Sequence, residues 1–106
     1  MLPDPACFRL PEPAAAGDWC VYLILCGNGS FYCGITNRPQ QRYAAHAEGK
    51  GARYTRMHKP QEMRLLYAAI SRTQAAQIEP QIKKLKPLQK QALWHKLSVY
   101  MPEEAG

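Results

Sequence analysis

The stretch WCVYLILCGNGSFYCGITNRPQQRYAAH, from Trp19 to His46, decides the fold. Its first eight residues and the run from Ser30 to Thr36 are rich in β-branched and aromatic residues, which favour strands. The segment Gly27-Asn28-Gly29 between them contains residues that tolerate a positive φ. This order predicts a β-hairpin.

The length of the hairpin loop decides whether the two tyrosines of the strands meet. A three-residue loop places Tyr22 opposite Gly34 and Ile24 opposite Tyr32, so both tyrosines lie on one face as diagonal neighbours. A two-residue loop at Asn28-Gly29 would put them on opposite faces. Three-residue loops with a left-handed glycine are common, so we expect the tyrosines to converge, with an open space above Gly34.

A helix is predicted directly after the hairpin. Asn37 suits the N-cap position and Pro39 is tolerated in a first helical turn. The helix then runs over residues 40–48 until Gly49 stops it. Arg42 and His46 are spaced i, i+4 and share one face. The same spacing turns residues 43 and 47, a tyrosine and an alanine, toward the core.

The second half of the chain predicts one strand and two helices. Residues 62–70 form a short apolar run, which we interpret as a third antiparallel strand, although its Met, Leu and Ala residues are also helix formers. Ser71 and Gln74 form a capping box for a helix that runs from 72 to about 86. Pro80 should kink that helix or split it at Glu79.

The last helix follows Pro87 and reaches about residue 97, with apolar positions at Leu88, Leu93, Trp94 and Leu97. The fold class is therefore α+β, with a three-stranded antiparallel sheet and three helices in one domain over residues 19–98. Residues 1–18 are rich in Pro and Ala and have no hydrophobic period, so they are expected to form a flexible tail. Residues 99–106 are expected to form a second tail.

The charge of the domain is strongly basic. The whole chain carries 14 Lys and Arg against 8 Asp and Glu, a net charge of +6. Thirteen of these basic residues but only three of the acids, Glu48, Glu62 and Glu79, lie between Trp19 and Ser98. Such a field favours a polyanionic partner such as nucleic acid, although a solvated basic surface would have the same composition.

The four cysteines lack the Cys-x-x-Cys spacing of a zinc site. We interpret Cys20, Cys26 and Cys33 as small buried hydrophobes; a metal cluster of Cys20, Cys26 and His46 is the alternative. The chain has no signal-peptide pattern and no membrane-spanning run, so a cytoplasmic location is expected.

The segment from Lys50 to Pro60 is predicted to be a basic loop. It carries Arg53, Tyr54 and Arg56, and basic side chains next to an aromatic one can hold phosphates and stack a base. A soluble connector is the alternative interpretation of this loop.

Several motifs resemble those of one known family. Cys20-Val21-Tyr22 and Tyr32-Cys33-Gly34 resemble the two half-motifs of the GIY-YIG nucleases, and Arg42 with His46 resembles their Arg-x-x-x-His helix. The runs at residues 49–56 and 76–85 are similar to those of small stand-alone bacterial members, the YhbQ-like proteins. Each motif alone is weak, but five in the correct order are specific.

The resemblance implies a metal-dependent endonuclease that hydrolyses phosphodiester bonds in DNA, with repair or recombination as the expected context. Arg42 would bind the phosphate, and Glu79 would hold the metal, Mg²⁺ or Mn²⁺. The resemblance favours Tyr22 as general base, with Tyr32 and His46 as alternatives. A tyrosine needs a pKa lowered by neighbouring cations to serve as the base.

The implied DNA contacts come from basic and aromatic side chains in the loop and on the second long helix, namely Lys50, Arg53, Tyr54, Arg56, Lys83 and Lys84. One departure concerns the positions after the second half-motif, Ile35 and Thr36, where some family members carry a lysine. Two competing hypotheses remain: a nucleic-acid-binding module that keeps the fold without the chemistry, and a metal-sensing or redox protein that uses the cysteines.

Overall fold

The computed structural model describes residues 16–97 and contains seven elements. In chain order these are β1 (Ala16–Cys26), β2 (Phe31–Thr36), α1 (Pro39–Ala47), α2 (Arg53–Met57), β3 (Pro60–Ile70), α3 (Arg72–Lys83) and α4 (Pro87–Lys96). The three strands form one antiparallel sheet in the order β2-β1-β3. The α+β prediction is confirmed, with one short helix more than expected.

The hairpin has the predicted register. Gly29, at φ +84°, closes a loop in which the Cys26 amide donates to the Ser30 carbonyl over 2.9 Å. Tyr22 pairs with Gly34 and Ile24 pairs with Tyr32. The three-residue loop therefore places the two tyrosines on the same face of the sheet. Strand β1 begins at Ala16, three residues before the predicted start of the domain.

The two faces of the sheet carry separate hydrophobic clusters. On one face, α3 and α4 pack on Val21, Leu23 and Cys33. On the other, Tyr22, Ile24 and their neighbours form a smaller cluster to which Tyr32 and the α1 residue Tyr43 add, with Met63 and Leu65 from β3. The long helices thus cover one face, and the tyrosine pair belongs to the opposite face.

Helix α1 differs slightly from the prediction. Its N-cap is Arg38 rather than Asn37, and the Arg38 amide is bound by the Thr36 hydroxyl at 3.0 Å. Gly49 follows the helix at φ +78°, as expected for a stop. Tyr43 is partly buried as predicted, but Ala47 is exposed because it lies on the solvent side of this single helix layer.

The segment predicted to be a connecting loop contains helix α2, so that prediction was wrong over residues 53–57. The third strand is confirmed, and its helical alternative is excluded. Ser71 caps α3 by accepting from the Gln74 amide at 3.1 Å. The same helix continues through Pro80 as one element and ends at Lys83, so the predicted split at Glu79 and the end near residue 86 were wrong.

Helix α4 buries Leu93 and Trp94, whereas Leu88 is 73% exposed and does not belong to the core. Cys20, Cys26 and Cys33 are buried free thiols, as predicted. Within residues 16–97, no helix is long and apolar enough to cross a membrane. Most of the two predicted tails lies outside the described residues, as do Cys7 and the domain boundary at Ser98.

Candidate active site

Four of the predicted catalytic side chains meet on the face of the sheet covered by α1. The ring centroids of Tyr22 and Tyr32 are 6.4 Å apart, and the imidazole of His46 lies 5.9 Å from the first ring and 5.3 Å from the second. Arg42, one turn before His46, reaches the same point. Two strands and one helix therefore deliver a phenol pair, an imidazole and a guanidinium to one place.

The hydroxyl of Tyr22 lies at the centre of this group. Arg42 Nε donates to the hydroxyl oxygen over 3.4 Å, and the hydroxyl is 3.1 Å from His46 Nε2. Tyr22 is 1% exposed and His46 is fully buried, whereas Tyr32 is only half-buried. The structure thus places one tyrosine inside a hydrogen-bonded cluster and the other nearer the solvent.

The protonation states of the free protein follow from this burial. Burial raises the pKa of Tyr22 to about 12, and the hydrogen bond from Arg42 offsets only part of that effect. The requirement for a tyrosine pKa lowered by cations is therefore not met by Tyr22 in the free protein. Burial, assisted by the charge of Arg42, lowers the pKa of His46 to about 4. His46 is accordingly neutral at pH 7 and can accept a proton.

Arg42 is suited to bind an anion at this position. Its pKa is raised, first by the hydrogen bond with Tyr22 and then by further contributions from both tyrosines. Its side chain also lines a small open pocket of about 260 Å³ together with Thr36, Asn37, Arg38, Gln41 and Ala45. The guanidinium is thus permanently charged and borders both the tyrosine pair and a surface depression lined mainly by residues with polar side chains.

Glu79 stands apart from these four residues. It lies on α3, which packs on the other face of the sheet, and its carboxylate is 3.8 Å from Lys83 Nζ. The side chain of Glu79 is 25% exposed. Burial and, to a smaller extent, the charge of Glu79 raise the pKa of Cys33, the β2 residue that directly follows Tyr32. Glu79 therefore lies on the side of the edge strand β2 that α3 covers. Its role as metal ligand stays a prediction.

The predicted DNA-binding residues lie on exposed parts of two helices and one loop. Arg53 and Arg56 are exposed on α2, and Lys83 and Lys84 are exposed at the end of α3. Lys50 is exposed and lies 3.8 Å from Glu48. The ring of Tyr54 is 38% exposed and stacks on Tyr32, with centroids 6.2 Å apart and an angle of 19° between planes.

Two residues that the sequence analysis did not single out also contact His46. Thr55 is buried on α2, and its hydroxyl oxygen lies 2.6 Å from His46 Nδ1. A β-carbon at Gly51 would lie 2.3 Å from the same nitrogen, so the chain passes directly over the imidazole. Both residues belong to the run at 49–56 that resembles the family, which was the only available signal.

The cysteines lack the features of a reactive or metal-binding set. Burial raises the pKa of Cys20, of Cys26 and, to about 12, of Cys33. In the described part of the chain, no three His, Cys, Asp or Glu side chains come together as a metal cluster. Thiols of this kind behave as small hydrophobes.

Comparison with known proteins agrees with the geometry of the site. The profile of the GIY-YIG catalytic domain matches residues 18–91, which include both half-motifs, the Arg42 helix and Glu79. The chain belongs to the GIY-YIG family. This membership confirms the predicted resemblance and places the chain in a superfamily of nucleases.

The relatives of this GIY-YIG chain include bacterial proteins of similar size. Over 89 residues it is 49% identical to UPF0213 proteins of Neisseria meningitidis serogroups C and B, an alignment that covers 84% of this chain and 97% of each relative. It is 43% identical over 80 residues to a UPF0213 protein of Xanthomonas axonopodis pv. citri, covering 76% of this chain and 78% of that relative. No solved structure matches the chain.

Proposed function

We propose that this GIY-YIG protein is a metal-dependent endonuclease that hydrolyses phosphodiester bonds in DNA, in the context of repair or recombination. The observation that carries the proposal is the position of the Tyr22 hydroxyl between a guanidinium and a neutral imidazole. One neighbour can hold a phosphate, and the other can accept a proton. Hydrolysis of a phosphodiester needs both.

Arg42 is proposed to bind the scissile phosphate. Its planar fork suits phosphate oxygens, and the negative charge on those oxygens grows in the transition state, so the interaction strengthens as the reaction proceeds. The surface depression beside Arg42 would leave room for the neighbouring phosphate of the strand.

Tyr22 and His46 are proposed to move the proton together. The water oxygen forms a bond to phosphorus as the water gives a proton to the Tyr22 oxygen and Tyr22 passes its own proton to His46 Nε2. The P–O3′ bond breaks and the 3′ oxygen takes a proton from solvent. His46 then returns its extra proton to solvent. A bound phosphate would raise the proton affinity of the nearby imidazole, which favours this transfer. Neither Tyr22 nor His46 is charged in the free protein, so we expect no proton transfer between them until substrate binds.

Tyr32 is the alternative base, because its ring is half-buried whereas Tyr22 is 1% exposed. Its ring also lies 5.3 Å from His46, so the same imidazole is near. The variants Tyr22→Phe and Tyr32→Phe distinguish the two assignments. The tyrosine that acts as base loses about 10²-fold or more in kcat on this change, and the other loses less.

Glu79 is proposed to hold the metal ion. A single carboxylate with waters and phosphate oxygens suits Mg²⁺ or Mn²⁺, and the ion pair with Lys83 Nζ involves one of the two carboxylate oxygens of Glu79, Oε2 at 3.8 Å. When bound, the ion would supply positive charge for the departing 3′ oxygen. The helix that carries Glu79, α3, packs against the edge strand β2.

The DNA itself is proposed to lie across the basic α2 surface. Arg53 and Arg56 would contact phosphates, and Tyr54 would stack against a base next to Tyr32. Lys50 from the preceding loop and Lys83 and Lys84 from α3 would add further phosphate contacts. Binding through these residues would weaken as salt increases.

The decisive experiment is nicking of supercoiled plasmid by the purified full chain in Mg²⁺ or in EDTA. We expect Mg²⁺-dependent nicking by the wild type and a loss of about 10²- to 10³-fold in Arg42→Ala. Arg72→Ala is the matched control, because it removes the same charge from a guanidinium stacked over Trp19 on the other face. If the wild type does not nick DNA but binds it with the same affinity as both variants, the binding-module alternative is supported.

A further inference from the structure

Thr55 makes two hydrogen bonds through one buried hydroxyl. Its oxygen lies 2.9 Å from the Ala52 carbonyl oxygen and 2.6 Å from His46 Nδ1. The hydroxyl has one proton, and a carbonyl can only accept. If that proton pointed to the imidazole, two oxygen atoms would face each other at 2.9 Å without a proton between them. The proton therefore points to Ala52.

This direction determines the tautomer of His46. Because the Thr55 oxygen then accepts, His46 Nδ1 must carry the proton and donate it. A neutral imidazole has one N–H, so Nε2 is left as an acceptor. The Tyr22 hydroxyl consequently donates to Nε2, while its oxygen accepts from Arg42. Hydrogen bonds thus run in one direction from Arg42 through Tyr22, His46 and Thr55 to Ala52.

Water cannot replace Thr55 in this chain of bonds. His46 is fully buried and Thr55 is 2% exposed. Gly51 lies so close to Nδ1 that even a β-carbon would not fit. The neighbouring residue Tyr54 also bonds to Ser30 of the hairpin turn and stacks on Tyr32, which holds α2 against the tyrosine pair.

We infer that Thr55 is a positioning residue that fixes His46 as the Nδ1-protonated tautomer, so that Nε2 can receive the proton of Tyr22. The assignment of the tautomer rests on geometry alone. Its catalytic consequence rests on the proposed function. In the opposite tautomer, Nε2 would donate to Tyr22 and could not take a proton from it.

The test is the protonation of each ring nitrogen, read from two-bond ¹H–¹⁵N correlations of histidine in the full-length protein near pH 7. His46→Gln assigns the signals among the three histidines. We expect protonated Nδ1 and unprotonated Nε2 in the wild type and in Thr55→Ser. In Thr55→Val, which keeps the shape but cannot accept, we expect a measurable share of the Nε2-protonated form.

Nicking assays give the catalytic part of the test. We expect Thr55→Val to lower kcat about 10²-fold with little change in KM, and Thr55→Ser to stay within about threefold of the wild type. A wild type with protonated Nε2 would overturn the inference, and this result does not depend on whether Thr55→Val folds. An unchanged tautomer in folded Thr55→Val would overturn it as well. The expected tautomers in a protein without nuclease activity would support the inference and refute the proposed function.

Discussion

The ring of Tyr22 lies directly over Gly34, its partner across the hairpin. A β-carbon at position 34 would meet the Tyr22 hydroxyl oxygen at 2.3 Å and the ring carbon that bears it at 2.4 Å. The expected open space above Gly34 is therefore filled by the tyrosine itself. The second half-motif needs glycine because the phenol of the first half-motif occupies the place of its side chain.

The change Gly34→Ala should consequently displace the Tyr22 ring. Tyr22 is 1% exposed and bonded to Arg42 and His46, so it cannot move without disturbing both. We expect a loss of about 1–3 kcal/mol in the free energy of unfolding, measured by urea titration, and a loss of nicking activity larger than the stability change explains.

Gly27→Ala is the matched control for that prediction. It lies in the same hairpin, has no positive φ, and its β-carbon would meet nothing closer than 3.5 Å. We expect stability and activity close to those of the wild type. Equal effects of the two substitutions would show that the hairpin, and not the Tyr22 contact, is sensitive to alanine.

Arg64 contributes to the basic composition but acts as a structural residue. Its guanidinium donates to Glu62 at 2.6 Å and to the Trp94 carbonyl at 2.8 Å, and it lies 4.2 Å from the Trp94 ring centroid. We expect Arg64→Ala to cost about 2 kcal/mol in the free energy of unfolding, because it removes charged hydrogen bonds at the end of α4. DNA affinity, measured by fluorescence anisotropy, should change little.

Arg53→Ala is the counterpart of Arg64→Ala. Arg53 is exposed on α2, so its removal should leave stability unchanged and weaken DNA binding, with a shallower dependence on salt. If both variants weaken binding equally, the basic field acts as a whole, and α2 has no special part in contacting DNA.

The sequence allowed prediction of the hairpin, its register and the convergence of Tyr22, Tyr32, Arg42 and His46 because these features depend on local rules. Loop glycines fix the register, and the i, i+4 spacing fixes the helix face. Helix α2 follows no such rule. It has five residues and no side-chain cap, and its contacts with Ser30, Tyr32 and His46 are with segments distant in the sequence.

The remaining differences from the predictions also concern features that local sequence rules do not determine. Thr55 is buried, but the residues on both sides of it are exposed. The sequence around it therefore has no hydrophobic period that would identify Thr55 as a buried residue. Pro80 is compatible with a continuous α3, which packs Ile78 and Ile82 on the sheet on either side of it. Leu88 was named as an apolar position of the last helix, yet it lies in the first turn of α4 and is exposed.

Acid should destabilise the protein through His46. In the unfolded chain a histidine binds a proton below about pH 6.5, whereas burial keeps the pKa of native His46 near 4. The unfolded state therefore binds more protons in this window, and stability falls as pH decreases from 6.5 toward 4, by up to about 3 kcal/mol. The two groups nearest to the His46 charge do not titrate in this window, because burial raises the pKa of Tyr22 to about 12 and the hydrogen bond with Tyr22 raises the pKa of Arg42.

Urea unfolding of the wild type and of His46→Gln across this pH range measures the effect. The wild type should lose more stability on acidification than the variant, because the carboxylates titrate in both proteins and cancel in the comparison. Parallel curves would mean that native His46 titrates like a histidine of the unfolded chain, which would contradict the lowering of its pKa by burial.

The metal dependence of nicking should reveal the ion pair between Lys83 and Glu79. The ammonium group lies 3.8 Å from the proposed ligand, so it competes with a cation for the same carboxylate. An exposed pair of this kind is worth about 0.2–1 kcal/mol, which predicts a Mg²⁺ concentration for half-maximal activity that is about 1.4- to fivefold lower in Lys83→Gln. Lys84→Gln removes the same charge from the next residue without breaking the pair, so its Mg²⁺ midpoint should stay near that of the wild type. Glu79→Gln should not regain nicking activity at any Mg²⁺ concentration that the assay tolerates. If the two lysine variants shift the midpoint equally, the lysines act only through DNA binding, and the ion pair of Lys83 with Glu79 does not compete with the metal ion.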